Sequence, residues 1–239
     1  MTVTRGASHV FLGMDMRFSK ACTVKIKMTE YIKEAITDFG ENISRSVATP
    51  ANKDLFEIDK PSGDLTMKNK ETFQSVIAKH LYVSKRARRD IELPIAFLCT
   101  RVACSTEQDW LNLKRVLEYL YGTLEKILML GADKIQKMKT WVDTSYAVHK
   151  DMKSHTGGVV SFGRGAALSK SSKHKLNVKS STEAELVGAS DYLPYPIWLK
   201  KFLEYQEYSI EENIFTRTIK APCGSRRTGE SHAAPIPGT

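Results

Sequence analysis

Two acidic residues, Asp143 and Glu185, constrain the fold of this chain more than any other feature. Asp143 ends an apolar run that is typical of a strand, and Glu185 lies in the first turn of a predicted helix. Two short extended runs, residues 157–163 and 176–179, separate the two acids. The predicted order is therefore strand, strand, strand, helix, with one carboxylate on the first strand and one on the helix.

The composition is that of a globular protein with few constraints on its partners. A chain of 239 residues with 41% apolar side chains can bury a core. Lys and Arg outnumber Asp and Glu by 36 to 27, and the net charge of +9 favours a polyanionic partner only weakly. The four cysteines have no CxxC spacing, which argues against zinc and against a disulfide framework. No segment resembles a signal peptide or a membrane span, so we expect an intracellular location, in the cytoplasm or nucleus, and no membrane partner.

The first half of the chain is predicted to be mainly helical. Residues 8–28 are predicted to form a hairpin, and residues 30–122 a small bundle of helices with apolar stripes. Asn69 is the predicted N-cap of one helix. Ser105 and Gln108 form the predicted capping box of the last one.

The second half is predicted to mix strands with one long helix. The change of pattern places a domain boundary at residues 124–135. A helix is predicted over residues 182–205, but Pro194 and Pro196 lie inside it, and an interior proline costs about 3 kcal/mol. We therefore expect a kink or a break there. Residues 216–239 are rich in Gly, Pro, Ser and Arg and are predicted to be disordered.

Four segments of the chain form a recognisable series: residues 11–14 (Phe-Leu-Gly-Met), 116–123 (Val-Leu-Glu-Tyr-Leu-Tyr-Gly-Thr), 141–147 (Trp-Val-Asp-Thr-Ser-Tyr-Ala) and 181–185 (Ser-Thr-Glu-Ala-Glu). In this order they resemble parts of the copia-type LTR retrotransposon Pol polyproteins. The parts are the primer-grip hairpin, the LxYLxGT signature, the first ribonuclease H strand and the first ribonuclease H helix. The resemblance extends over residues 1–215.

The resemblance implies an α+β fold with several regions. Residues 1–28 would be a hairpin at the end of the polymerase palm, and residues 29–123 the helical thumb and connection of a reverse transcriptase. Residues 135–215 would be an incomplete ribonuclease H-like α/β domain. Residues 216–239 would then be a disordered tail.

The resemblance also implies the chemistry, which is RNA-directed DNA synthesis and hydrolysis of RNA in RNA–DNA hybrids. Polymerisation needs paired carboxylates for two divalent ions, and the sequence has no Asp-Asp pair, so we expect no polymerase activity from this chain alone. The family's ribonuclease H uses four acids with Mg²⁺. Asp143 matches the first acid and Glu185 the second, and the other two are missing. We expect these two acids to be vestigial catalytic and metal-binding residues that hold Mg²⁺ weakly.

Simpler roles remain open for the same residues. Thr182 and Glu185 also match a capping box, and Asp143 alone is typical of a surface acid on a strand. Another alternative is an enzyme whose missing acids come from another chain. Glu183 is predicted to be solvated. Three histidines without ligand spacing are predicted to lie at the surface: His149, His155 and His174.

A basic segment follows the second predicted strand and carries Lys170, Lys173, Lys175 and Lys179. Lysines at this density can neutralise the phosphates of an RNA–DNA hybrid, or of another nucleic acid, without reading its sequence. The alternative is an edge strand that lysine protects from aggregation. A non-enzymatic nucleic-acid-binding module that uses this segment is the alternative function.

The end of the chain departs from the family. The third acid is expected on the next strand within Tyr-Gln-Asp-Asn, whereas this chain continues after Phe215 with Thr-Arg-Thr-Ile-Lys. A shift of reading frame explains the departure, because codons permitted for residues 216–219 read Tyr-Gln-Asp-Asn in another frame. An authentic basic tail is the alternative. The sequence thus predicts a truncated, inactive fragment of a reverse transcriptase and ribonuclease H with a frameshifted tail.

Overall fold

The computed structural model describes residues 5–57 and 62–217, and the backbone of residues 233–235. The fold is mixed α+β, with two compact units that comprise residues Met1–Met129 and Leu130–Thr239. In the described part of the chain, no helix has the length and apolar character needed to cross a bilayer. The assignment of the sequence segments to named Pol regions stays a prediction.

The first unit begins with three antiparallel strands, β1 (Ser8–Phe11), β2 (Met14–Phe18) and β3 (Thr23–Lys27). The predicted hairpin over residues 8–28 therefore contains three strands and not two. The chain turns between β1 and β2 because Leu12 and Gly13 both have positive φ, at 49° and 76°, a conformation that glycine adopts without strain.

Four helices build the rest of the first unit: α1 (Thr29–Thr37), α2 (Met67–Arg86), α3 (Glu92–Cys99) and α4 (Glu107–Gly122). The predicted caps are wrong by one to three positions. The hydroxyl of Thr66 caps α2 by accepting from the Asn69 backbone N–H at 3.3 Å, and Thr106 with Asp109 forms the capping box of α4. Apolar side chains from these helices form the buried core: Phe73, Val76, Ile77, Ile95, Leu98, Leu113, Leu117 and Leu120.

Hydrogen bonds from a buried arginine connect the turn after α2 to the end of α4. Arg88 is 1% exposed and donates two hydrogen bonds to the Asp90 carboxylate, at 3.0 and 2.9 Å. It also donates to the carbonyl and hydroxyl oxygens of Thr123, at 3.0 and 2.7 Å, and Tyr119 donates to Asp90 at 2.7 Å. Burial alone would raise the pKa of the Asp90 carboxyl, but the hydrogen bonds from Arg88 and Tyr119 hold it well below its usual range. Tyr119 and Thr123 belong to the segment 116–123, whose polar residues therefore have a structural role.

The second unit is built on a mixed sheet. Its strands and helices are β5 (Lys137–Ser145), β6 (His155–Ser161), β8 (Leu168–Lys173), α5 (Ser181–Tyr192), α6 (Pro194–Tyr205), β9 (Glu212–Arg217) and β10 (Ala233–Pro235). The strand order in the sheet is β10-β9-β5-β6-β8. Strand β6 pairs antiparallel with both β5 and β8, and β9 runs parallel to β5. A parallel neighbour needs a crossover connection, which here contains two helices. Two short strands, β4 (Leu128–Ala132) and β7 (Gly163–Arg164), pair with each other.

The structure corrects the prediction for two strands and confirms the helix break. The third strand lies at Leu168–Lys173 and not at residues 176–179, because pairing with β6 selects a polar segment that has no apolar alternation. Residues 216 and 217 belong to β9 and not to a disordered tail. Apart from the β10 backbone, the rest of the predicted tail lies outside the described residues. Helix α5 ends at Tyr192 and α6 begins at Pro194, so the predicted break is confirmed.

Helix α5 packs very closely on the sheet because glycine occupies two contact positions. A Cβ atom on Gly158 of β6 would lie 2.2 Å from the Tyr192 ring, and one on Gly188 of α5 would lie 2.3 Å from Thr144 Oγ1. The core beside this contact is apolar and contains Met138, Val142, Val160, Tyr192 and Ile210.

Substitution of two neighbouring glycines should separate packing from backbone effects. In Gly158→Ala the added methyl group would overlap sterically with the Tyr192 ring. The substitution should lower the free energy of unfolding by about 1–3 kcal/mol. Gly157→Ala is the matched control, since its Cβ meets nothing within 4 Å, and it should stay within about 0.5 kcal/mol of wild type. Urea unfolding measures both. Equal losses for the two variants would contradict the close α5 packing.

Candidate functional site

Asp143 lies in β5, directly opposite Gly157 of β6. Its neighbours Val142 and Thr144 are buried and face α5, whereas Asp143 is exposed. Successive side chains of a strand point to opposite faces of the sheet. The Asp143 carboxylate therefore lies on the face that points away from α5.

Glu185 lies on the opposite side of the same sheet. It is 6% exposed and belongs to the buried face of α5, together with Ala184, Gly188 and Tyr192. Gly188 contacts the α5 face of β5 and β6, and Glu185 precedes it by one helical turn. Asp143 is therefore exposed on β5, whereas Glu185 is buried near the start of α5, on the helix side of the sheet.

The residues present do not fit a magnesium centre. Mg²⁺ requires several oxygen ligands in near-octahedral geometry, and the two predicted acids supply few of them. Within residues 5–57 and 62–217, no group of three or more histidine, cysteine or acidic side chains is arranged to hold a metal ion.

The start of α5 corrects the prediction for its cap. Ser180 is the N-cap residue, and its hydroxyl accepts from the Glu183 backbone N–H at 3.2 Å. The Glu183 carboxylate in turn accepts from the Lys179 backbone N–H at 2.7 Å. The alternative that Thr182 and Glu185 form a capping box is therefore wrong. Glu183 is exposed, as predicted.

The four lysines of the basic segment do not form one surface. The Lys170 ammonium group lies over the Tyr195 ring at 4.4 Å from its centroid and hydrogen-bonds the Tyr195 hydroxyl, so it is on the helical face. Lys173 points to the other face and pairs with Asp151 at 2.8 Å. Lys175 and Lys179 are exposed in the connection between β8 and α5. The sequence pattern grouped residues that strand alternation separates.

The three histidines that were predicted at the surface are each only 3% exposed. On the face away from α5, His149 Nε2 lies 3.0 Å from His155 Nδ1, and His155 Nε2 lies 2.6 Å from Ser171 Oγ. The surface prediction is wrong for His149 and His155 because the connection between β5 and β6 places His149 against the first residue of β6.

The third histidine belongs to a separate chain of hydrogen bonds on the α5 face. His174 Nε2 lies 2.5 Å from Thr156 Oγ1, which lies 2.9 Å from Thr144 Oγ1. These hydroxyls lie beneath Gly188, where no side chain from α5 displaces them. The surface prediction is therefore wrong for His174 as well. The alternation of β6 assigns positions 155 and 156 to opposite faces, but no sequence pattern indicates what covers them.

Burial keeps these imidazoles neutral. It lowers the pKa of His149 to about 4, with a further contribution from the Lys173 charge, and it lowers the pKa of His155 to about 4, with help from His149 and His174. Burial also lowers the pKa of His174, against the opposing charge of Asp191. Neutral imidazoles can accept and donate the hydrogen bonds of these networks without a buried charge.

Comparison with known proteins identifies relatives of modest similarity. The chain is 28% identical over 190 residues to a putative transposon Ty5-1 protein of Saccharomyces cerevisiae. The aligned region covers 78% of this chain and 60% of that protein. The chain is 27% identical over 206 residues to the retrovirus-related Pol polyprotein from transposon TNT 1-94 of Nicotiana tabacum, covering 83% of this chain and 15% of the polyprotein. It is 23% identical over 197 residues to the transposon Ty1-BR Gag-Pol polyprotein of S. cerevisiae, covering 78% of this chain and 11% of that one.

The homologues are Ty/copia-type transposon Pol polyproteins. This homology supports a Pol-derived fragment, and the chain spans less than two thirds of each of the three relatives described. No protein-family model matches the chain, and no solved structure matches it.

The buried histidines should make stability depend on pH in a defined direction. Because the folded-state pKa values lie below the ordinary value of about 6.5, the unfolded chain binds more protons between that value and about 4. The free energy of unfolding should therefore fall as the pH is lowered from 7 to about 4. Urea titrations at several pH values measure this slope.

The His155→Gln variant should show a shallower pH slope than wild type, whatever its stability at pH 7. His9→Gln is the matched control, since His9 lies in the first unit and outside these networks. An unchanged slope in His155→Gln, or an equal loss of slope in both variants, would show that His155 does not carry the dependence.

Proposed function

We propose that this chain is a fragment of a copia-type retrotransposon reverse transcriptase and ribonuclease H, and that by itself it does not hydrolyse RNA. The order of elements in the second unit carries the proposal. Three antiparallel strands, β5, β6 and β8, are followed by α5 on one face of the sheet and then by β9 parallel to β5. The resemblance of residues 141–147 and 181–185 falls on the first strand and the first helix of this order.

The placement of the two acids supports the second half of the proposal. Hydrolysis by the two-metal mechanism needs ions that clamp the attacking and leaving oxygens, and several carboxylates must converge on them. Asp143 and Glu185 supply two carboxylates, and residues 5–57 and 62–217 contain no group of three or more side chains arranged to hold a metal ion. We infer that the two acids are vestigial.

The register of β9 supports a position for one of the missing acids. Thr216 pairs with Trp141, and Arg217 pairs with Val142, in parallel register. In the alternative reading frame, Tyr-Gln-Asp-Asn directly follows Phe215 when one base is inserted after the second base of the Ile214 codon. Continuing the register by one residue would set that aspartate level with Asp143 on the neighbouring strand.

The test compares the chain as it stands with the frame-restored gene product on a defined RNA–DNA hybrid in Mg²⁺. The present chain should leave the RNA intact, and the restored product should cleave it because a second carboxylate joins Asp143. Asp143→Asn in the restored product is the control and should abolish cleavage. Cleavage by the present chain that Asp143→Asn removes would contradict the proposal. An alternative frame interrupted by stop codons, or one without CAG across codons 216 and 217, would remove the frameshift explanation.

A second candidate function is nucleic-acid binding without catalysis. The exposure of Lys175 and Lys179 favours it, since both are available to phosphates in the connection before α5. The hydrogen bond of Lys170 to Tyr195 and the ion pair of Lys173 with Asp151 make those two lysines less available.

Neutralising the exposed lysines tests this candidate. The variants Lys175→Gln and Lys179→Gln should weaken hybrid binding, and each should reduce the slope of log affinity against log salt by about one unit. Lys170→Gln is the matched control from the same segment and should leave the slope unchanged. Fluorescence anisotropy over a salt series measures the slopes. Equal slopes for wild type and all three variants would exclude this segment as the contact.

A further inference from the structure

A cavity in the first unit has the chemistry of an anion site. It has a volume of about 340 Å³ and lies between α4 and the segment that precedes α2. Arg45 and Asn52 line it from that segment, and Asn112, Arg115 and Glu118 line it from α4. All of these residues lie within one compact unit.

Two contacts hold the wall of the cavity against α4. The segment approaches α4 at Gly122, where a Cβ atom would lie 2.6 Å from the Cβ of Ser46. Further along, Thr49 Oγ1 donates to the Ala51 carbonyl at 3.1 Å and accepts from Arg115 Nη2 at 3.0 Å. The guanidinium group of Arg115 is therefore fixed in position before any ligand arrives, which reduces the entropy cost of binding.

Arg115 has a donor that nothing in the described part of the chain satisfies. Its Nε atom is buried and has no hydrogen-bond acceptor. Buried donors in folded proteins are almost always paired, and a charged donor is especially costly to leave unpaired. Because Nε is buried, the donors of Arg115 that a ligand in the cavity would meet are those of the Nη groups, and Arg115 lines the cavity.

The charges of the lining favour an anionic acceptor. Arg45 and Arg115 form no ion pair within the described residues, whereas Lys114 pairs with Glu41 at 2.6 Å. Glu118 is the single acid in the lining and opposes them. Gln108 donates to Asn112 Oδ1 at 3.4 Å, so the Asn112 amide group keeps its own N–H donors for a ligand.

We propose that this cavity binds a phosphate group, with Arg115 and Arg45 as the charged donors. Guanidinium groups present paired N–H donors that match the oxygens of phosphate, and they keep their charge at any physiological pH. The cavity contains neither Asp143 nor Glu185. The proposed phosphate site can therefore be tested independently of the proposed ribonuclease H ancestry.

The first experiment uses inorganic phosphate as the probe and the full chain as the protein, with binding measured by calorimetry at low salt. Arg45→Gln and Arg115→Gln should each weaken binding about tenfold, since each removes one charge-assisted contact. Lys68→Gln, at an exposed lysine on α2 outside the cavity, is the charge-matched control and should change affinity by less than about twofold.

A variant with the opposite sign keeps the proposal testable even if Arg115→Gln disturbs folding. Glu118→Gln removes the one negative charge of the lining and should tighten phosphate binding several-fold, a gain that a misfolded chain cannot show. No phosphate binding by the wild-type chain, or no gain in Glu118→Gln, would overturn the proposal.

The same variants identify the source of the phosphate. A single-stranded oligonucleotide replaces inorganic phosphate in the second arm. If the site takes a nucleic-acid backbone, Arg45→Gln and Arg115→Gln will each weaken oligonucleotide binding and lower its salt slope by about one unit. If it takes a small phosphate compound, both variants will lose inorganic phosphate binding and bind the oligonucleotide as the wild type does.

Discussion

The close approach of α5 to the sheet is the contact on which the second unit depends. It is possible because Gly158 and Gly188 have no side chains at the two points where helix and strands touch. The Tyr192 ring fills the space above Gly158 and closes the apolar core with Met138 and Val160. Any larger residue at these points would separate the layers and expose that core to water.

This contact also decides which face of each strand is buried. Once Val142 and Thr144 face α5, the two-residue period of the strand leaves Asp143 on the other side. The same rule turns Lys170 towards Tyr195 and Lys173 away from it. Groups that belong together in the sequence are therefore divided between two environments, and the chemistry expected of them as a set does not follow.

The first unit shows that a recognisable sequence segment can have a structural role. Tyr119 and Thr123 complete the hydrogen bonds of Arg88 and Asp90, which also form an ion pair with each other. A buried ion pair is costly to break from one side, because the remaining charge keeps its desolvation cost. The same helix carries Arg115 one turn before Tyr119, and within the described residues its buried Nε atom has no acceptor.

The amino-acid sequence by itself determined the elements whose signals are local. The helices of the first unit, the strand that holds Asp143 and the break before Pro194 follow from apolar period and proline geometry within a few residues. Tertiary structure alone decided the pairing of β8, the parallel position of β9, and the burial of His149, His155 and His174. These depend on contacts between residues far apart in the chain, and no local pattern encodes which neighbour will cover a given side chain.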